Sequence, residues 1–252
     1  MEDLGDRLRS IGDRVAAAAR RSGRSPGAVR MVAVTKTVEP ERIREAMQEG
    51  LALFGENRVQ EARRKVAEVG PGATWHLVGH LQRNKAKEAA RIFRMIHSVD
   101  SPDLLRDLDR HAEGSERPLE VLVQVNLVRE ESKHGAGEEE VPSILRAAAG
   151  LKWVTVAGLM ILPPYDPDPE KSRGHFRALA DLSARIGRER FENVVMRELS
   201  MGMSEDFEVA VEEGATLVRI GRALFGERPS GERSFGERLF SERGTDAGKE
   251  NG

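Results

Sequence analysis

The chain contains 252 residues and no cysteine, and its 40 Lys and Arg residues nearly balance its 42 Asp and Glu residues. This length suits one large domain or two small ones. The lack of cysteine excludes disulfides and thiolate zinc sites, and the balanced charge provides no basic field for nucleic acid. Neither the charged start MEDLGDRLRS nor any later segment has the apolar run of a signal peptide or a membrane span. We therefore expect a cytoplasmic protein that binds neither nucleic acid nor membranes.

Apolar periodicity predicts one opening helix followed by eight short strands. Residues 2–22 carry apolar side chains at helical spacing, and the tract RSGRSPG ends that pattern. The strand-like runs occupy residues 29–36, 51–57, 74–79, 94–100, 119–127, 153–162, 195–200 and 215–221.

Helical segments such as PERIREAMQEG and NRVQEARRKVAEVG separate these strands. Strands that alternate with helices pair in parallel, because a parallel connection needs a crossover. About eight such units predict an α/β fold, a closed (β/α)8 TIM barrel with an extra N-terminal helix. An open doubly wound sheet is the alternative, but no Gly-rich dinucleotide turn follows the first strand. We expect a single domain over residues 1–226 and a polar, disordered tail over 227–252.

A lysine stands at the end of the first predicted strand, and active sites of such barrels lie at the C-terminal strand ends. Val32, Val34 and Lys36 share one face of this strand. If the valines fill the barrel, Lys36 lies at the top of an apolar interior, where desolvation favours the neutral amine that a Schiff base requires. The alternative is an ordinary lysine that extends into solvent.

The last two strands predict an anion site. In LVRIGRALFG, Arg219 points inward. Gly221 precedes a short predicted helix over residues 222–225, whose N-terminus would face a bound anion. On the seventh strand, Ser200 lies inward at the strand end, and Ser204 follows as the predicted N-cap of a helix.

Each of these features has an ordinary alternative, since Ser200 can cap a turn and Arg219 can pair with Glu198. Taken together with Lys36, they predict a phosphorylated aldehyde as the ligand. Pyridoxal 5'-phosphate (PLP) fits that description.

The chain also resembles a known family. The segments that carry the resemblance are VTK (34–36), FGENRVQEA (54–62), WHLVGHLQRNK (75–85), GLM (158–160) and LSMGMSEDFEVAVEEGATLVRIGRALFG (199–226). They are similar to the pyridoxal-phosphate homeostasis proteins, which are single-domain relatives of the alanine racemase barrel. The resemblance implies a barrel of the alanine racemase N-terminal domain type, with PLP as its cofactor.

The same resemblance implies that Lys36 carries the internal aldimine. It places Ser200, Gly221 and Arg222 at the phosphate, partly through backbone N–H groups. Family members often have threonine where Arg222 stands, so only its main-chain contact carries over. The remaining cofactor-binding residues that it implies are Arg219, near the pyridine nitrogen, and Asn57 and Met201, lining the ring.

The protonated Arg219 predicts weak amino-acid chemistry, because a donor beside the pyridine nitrogen disfavours its protonation. A racemase also needs a base on each face of the substrate. The alanine racemase family brings its opposing tyrosine from a second domain, and Tyr165 here lies in the proline-rich loop LPPYDPDP, as a surface residue or a stray base.

We therefore predict a protein without catalytic residues that binds PLP on Lys36 and buffers it or delivers it to apo PLP-dependent enzymes. Without the racemase's second domain, a monomer is favoured over a homodimer. The alternatives are a low-activity PLP-dependent racemase and a Schiff-base lysine aldolase.

Two further features of the sequence are a pair of histidines and a lysine in a charged loop. His76 and His80 lie on an extended segment, where four residues span about 13 Å, so we expect His76 to be an interior histidine and expect no metal site. Lys133 lies in the charged loop 128–142, either as a second, transient aldimine during cofactor transfer or as an ordinary surface lysine.

Overall fold

A computed structural model describes residues 3–128 and 134–226. The strands are β1 (Arg30–Val34), β2 (Leu53–Glu56), β3 (Thr74–Leu77), β4 (Met95–Val99), β5 (Leu119–Val125), β6 (Val154–Ile161), β7 (Val194–Ser200) and β8 (Leu217–Ile220). The α-helices are α1 (Leu4–Arg21), α2 (Pro40–Gln48), α3 (Val59–Val69), α4 (Ala86–Ile92), α5 (Pro102–His111), α6 (Val141–Ala148), α7 (Arg173–Arg188), α8 (Phe207–Glu212) and α9 (Arg222–Phe225). Short 3-10 helices cover Pro26–Ala28, Arg83–Lys85 and Pro169–Ser172.

The strands form a closed parallel barrel in chain order, and β8 pairs with β1. The predicted TIM barrel is confirmed, and the open sheet is wrong. Each strand lies within its predicted run except β7, which begins at Val194, one residue earlier. The predicted opening helix is also confirmed, because α1 lies within the predicted residues 2–22. It packs against α8 and α9.

Two apolar layers hold the barrel together. A small cluster fills its interior and consists of Val32, Val78, Met95, Leu122, Ala157, Met160 and Leu217. A larger cluster lies between the strands and the surrounding helices, and it includes Ala33 and Phe54. The strand alternation predicted for β1 is therefore correct, with Val32 inside and Ala33 against the helices.

The helix after β7 begins later than its sequence indicates. Ser204 was the expected N-cap, but α8 starts at Phe207 with Asp206 at the N-cap position. The Asp206 carboxylate accepts a hydrogen bond from the Met203 N–H at 2.7 Å. That bond closes a turn over residues 204–206 ahead of the helix, which leaves the Ser204 hydroxyl available for another contact.

Among the described residues, no helix combines the length and the apolar composition needed to cross a bilayer. The tail predicted over 227–252 and Lys133 lie outside the described residues.

Candidate functional site at the C-terminal end of the barrel

The turn that carries Lys36 lies directly beside the turn that follows β8. Ala33 of β1 pairs with Ile220 of β8, so both turns leave the same edge of the barrel. A Cβ atom at Gly221 would lie 3.4 Å from the Val34 carbonyl oxygen. Lys36 itself is exposed to solvent, beyond Val32 and Val34, so the desolvated position expected for this lysine is wrong. The structure thus brings together the lysine and the anion-site turn that the sequence predicted.

A buried ionic network supports the Lys36 turn from behind. The Thr35 hydroxyl donates to Glu56 Oε1 at 2.6 Å. Lys65 of α3 has no exposed surface, and its Nζ donates to the Thr35 carbonyl at 2.5 Å and to Glu56 at 2.8 Å. The same amine contacts Glu61 Oε1 at 2.6 Å. The network therefore ties the end of β1 to the end of β2 and to α3.

Glu56 is the member of this network whose hydrogen bonding is incomplete. Burial raises the pKa of its carboxyl, against the opposing influence of the Lys65 ammonium. Within the described residues its second oxygen, Oε2, has no hydrogen-bond partner. Such a group is stable only while its charged partner remains in place.

The residue after Lys36 has an unusual backbone conformation. Thr37 has a φ of 63°, in the left-handed region that β-branched residues rarely occupy. Its N–H donates to Glu61 Oε1 at 2.8 Å. Because the carbonyl of Thr35 and the N–H of Thr37 are both held, the backbone on each side of Lys36 is fixed.

A row of hydrogen bonds crosses the barrel interior below this turn. Arg219 Nη1 donates to Ser200 Oγ at 2.7 Å, and Nη2 donates to the Ile161 carbonyl at 2.9 Å. Ser200 Oγ lies 2.8 Å from His97 Nδ1, and His97 Nε2 lies 2.9 Å from His76 Nδ1. When the Ser200 hydroxyl donates to His97, His97 carries its proton on Nε2 and donates to His76.

Burial determines the charges along this row. It lowers the pKa of His97 well below its ordinary value and, together with Arg30 and Arg94, lowers that of His76 to about 3. It also lowers the pKa of Arg219 to about 10, which leaves the guanidinium protonated at neutral pH. The interior therefore holds one positive charge above two neutral imidazoles. The predicted interior position of His76 is confirmed.

Ser200 was predicted to bind phosphate, but its hydroxyl points into this interior row. The side chain is fully buried, and its oxygen is held by Arg219 and His97. The alternative pairing of Arg219 with Glu198 does not occur, because Glu198 contacts Arg197 and Thr216 instead.

The turns after β7 and β8 lie side by side, where the sequence predicts the anion cup. Gly202 has a φ of 89°, and a Cβ there would lie 2.5 Å from the Ala210 Cβ, so only glycine fits. Gly221 is the N-cap residue of α9, as predicted. The Ala223 N–H donates to Ser204 Oγ at 3.3 Å, which places that hydroxyl at the start of the helix. The Arg222 guanidinium pairs with Glu205 at 2.5 Å.

The other two predicted residues differ in their surroundings. Asn57 is half-buried in the loop after β2 and is packed so closely that a Cβ at Gly79 would lie 2.3 Å from its carbonyl oxygen. Met201 has no exposed surface and belongs to the cluster between strands and helices. Tyr165 is 75% exposed, which agrees with a surface residue of the loop after β6.

Sequence reasoning missed the residues that support the site. They are Thr35, Glu56, Glu61, Lys65 and His97, and Ser204 was given a different role. A signal existed for two of them. His97 shares a strand face with Met95, which points inward, and Lys65 lies on the apolar stripe of α3 with Ala62 and Val69.

The fold and the site define a (β/α)8 barrel protein with a lysine at the end of its first strand and an anion cup at its last two. A sequence profile described as "Alanine racemase, N-terminal domain" matches residues 7–229. The pyridoxal phosphate homeostasis protein of Aquifex aeolicus is 42% identical over 224 residues, which cover 88% of this chain and 97% of that protein. The protein of the same name from Pseudomonas aeruginosa is 38% identical over 231 residues, covering 90% and 97%.

Among solved structures, PipY of Synechococcus elongatus with PLP bound superimposes with a TM-score of 0.75 at 37% identity, covering 89% of this chain and 100% of that one. The chain belongs to the alanine racemase N-terminal domain family, in its group of pyridoxal phosphate homeostasis proteins.

Proposed function

We propose that this protein binds PLP covalently through Lys36 and buffers or delivers the cofactor without substantial turnover of amino acids. The observation that carries the proposal is the contact between the Lys36 turn and the Gly221 turn, above the buried Arg219 guanidinium. PLP needs an amine, an anion cup and a partner for its pyridine nitrogen, and these three lie at one end of the barrel. The PLP bound to PipY supports the same assignment.

The Lys36 amine is the nucleophile. The cofactor supplies an aldehyde, with which a lysine amine condenses to a Schiff base and releases water. The hydrogen bonds on both sides of Lys36 fix the backbone from which the amine extends. Exposure of the lysine gives the cofactor access from solvent.

The anion cup holds the phosphate mainly through its backbone. The Ala223 N–H at the start of α9 donates to Ser204 Oγ, and an anion bound at this turn would accept from the same N–H. The Ser204 hydroxyl, which lies at that turn, is better placed for the phosphate than Ser200. We assign Ser200 to Arg219 instead, whose position it fixes.

Arg219 limits the chemistry. Within the described residues its hydrogen bonds go to Ser200 and the Ile161 carbonyl, which leaves three of five N–H donors for the cofactor. A protonated donor beside the pyridine nitrogen keeps that nitrogen unprotonated. The ring is then a poor electron sink, which disfavours amino-acid turnover.

The covalent link is tested by spectroscopy. Purified chain incubated with PLP should absorb in the visible, and borohydride should fix the cofactor on Lys36, as mass spectrometry of peptides would show. Lys36→Ala should abolish the labelling. Lys87→Ala, at an exposed position on α4, serves as the matched control and should keep it. Equal labelling of the Lys36→Ala chain would refute the assignment.

The storage role needs a separate test. The loaded protein is mixed with an apo PLP-dependent transaminase, and the recovery of transaminase activity is followed. We expect transfer of the cofactor and only trace racemisation of alanine or serine. Efficient multiple-turnover racemisation by the purified chain would instead refute the non-catalytic part of the proposal.

A further inference from the structure

Two histidines and an aspartate meet on the rim of the barrel, and none of the three is among the residues assigned to PLP. His80 follows β3, Asp100 follows β4 and His134 follows β5, so three successive loops contribute one side chain each. The two imidazole rings stack with centroids 3.7 Å apart and planes inclined by 7°. His80 Nδ1 lies 3.6 Å from Asp100 Oδ2.

The donor atoms have the spacing of metal ligands. One nitrogen of each histidine and one oxygen of Asp100 all lie within 4.8 Å of one another. Two ligands of a tetrahedral zinc ion, at bond lengths of about 2.1 Å, lie about 3.4 Å apart. The 3.6 Å separation of His80 and Asp100 is close to that value, whereas the stacked imidazole rings must turn apart before both histidines can direct a nitrogen at one ion.

The chemistry of the set also fits. Two imidazoles and one carboxylate are a common donor set for divalent transition metals, with further positions open to water or substrate. Asp100 is the least exposed of the three and supplies the negative charge that a cation needs.

We propose that His80, Asp100 and His134 form a binding site for a divalent transition-metal ion, with Zn²⁺ as the expected occupant. The ion joins the loops after β3, β4 and β5 into one unit at the end of the barrel where Lys36 lies. This site is distinct from the pair His76 and His80 that the sequence brought to attention. His76 faces the interior and contacts His97.

The test measures metal on the full, tag-free chain. Protein stripped with a chelator is dialysed against Zn²⁺, and bound metal per chain is determined; Co²⁺ serves as a spectroscopic probe. We expect about one ion per chain, as for a three-ligand site. His80→Ala, His134→Ala and Asp100→Asn should each weaken binding at least about tenfold. His175→Ala on α7 is the matched control and should bind as the unmodified chain does.

Far-UV circular dichroism shows whether each variant is folded, and Lys36→Ala should retain the metal because Lys36 is not among the ligands. Failure of the PLP proposal therefore leaves this result intact. Absence of metal uptake by the unmodified chain overturns the site. The site is also overturned if all three ligand variants take up metal as well as the unmodified chain does, or if only His80→Ala loses it.

Discussion

At the scale of single residues, the feature that fixes the Lys36 turn is a fully buried lysine. Lys65 lies on the buried face of α3, where its ammonium contacts Glu56, Glu61 and the Thr35 carbonyl. A buried ion pair contributes little net stability compared with apolar packing, but removing one partner leaves an unpaired charge. The network therefore serves to place the Lys36 turn, and its integrity depends on both charges.

Lys65→Met should destabilise the protein by about 3 to 5 kcal/mol, because Glu56 then remains buried without its partner. Urea unfolding measures the change. The double variant Lys65→Met with Glu56→Gln should recover part of the loss, since it removes both charges. Lys87→Met, at an exposed position, should change stability by less than about 0.5 kcal/mol. Equal stability of the Lys65→Met chain would show that Glu56 is not charged when paired.

The interior histidines predict a pH dependence of folding. The unfolded chain protonates both near pH 6.5, whereas folded His76 does so only at about 3 and folded His97 also well below its ordinary value. Below pH 6.5 the unfolded state thus binds more protons, and stability decreases as the pH falls. Between about pH 7 and pH 5 the loss should be about 2 kcal/mol for His76, and His97 adds a loss of the same sign.

Urea unfolding at these two pH values tests this sign and magnitude. His76→Gln keeps a hydrogen-bonding group but removes one titrating imidazole. The difference between the two pH values should shrink by about 2 kcal/mol in that variant. The same pH difference in both proteins would mean that His76 is protonated in the folded chain.

At the scale of elements, α8 is joined to its neighbours by carboxylates. Glu212 accepts from Arg21 of α1 at 2.7 Å and from Arg173 of α7 at 2.8 Å. Glu213 accepts from Arg173 at 2.8 Å and from Arg177 at 2.9 Å. These contacts hold together the helices that flank the anion cup, because α8 follows directly from the turn that contains Ser204.

Hydrogen bonding to Arg177 and Arg173 lowers the pKa of Glu213, so its contribution is present above pH 4.5 and is lost as the pH falls below the folded value. Glu213→Gln should lower stability at neutral pH by about 0.5 to 1 kcal/mol, since solvent screens part of the interaction. Added salt should reduce the difference. Thermal unfolding of this variant is compared with that of Glu189→Gln, a change at an exposed position. Equal stability of the two variants would exclude a structural role for the contacts of Glu213 with the two arginines.

The elements themselves were predictable because their causes are local. Strand periodicity and glycine caps lie within a few residues, and β1 to β8 follow the predicted runs closely. The predicted start of α8, by contrast, is wrong. Asp206 and Ser204 are both good capping residues, so residue type alone does not decide between them. The choice between them depends on the Gly202 turn and its packing on Ala210, which no local pattern shows.

At the scale of the whole molecule, barrel closure decides which distant residues meet. The number of units predicted closure, and closure places β8 beside β1, which brings Lys36 to the anion cup. The interior row from Arg219 to His76 joins side chains of β3, β4, β7 and β8. It was not predictable from the sequence, because the register between strands decides which of these side chains lie at the same level in the barrel. The rim cluster of His80, Asp100 and His134 has the same origin, in loops that are separate in sequence.

Cofactor binding should stabilise the whole barrel, because the proposed ligand joins elements from both ends of the described chain. A ligand that binds only the folded state at 100 times its dissociation constant contributes about 2.7 kcal/mol. PLP should therefore raise the midpoint of thermal unfolding in the unmodified chain and much less in Lys36→Ala. Inorganic phosphate, which occupies only the anion cup, should give a small shift that is the same in both proteins. A PLP shift that survives intact in Lys36→Ala would mean that the phosphate cup and Arg219 alone provide the affinity.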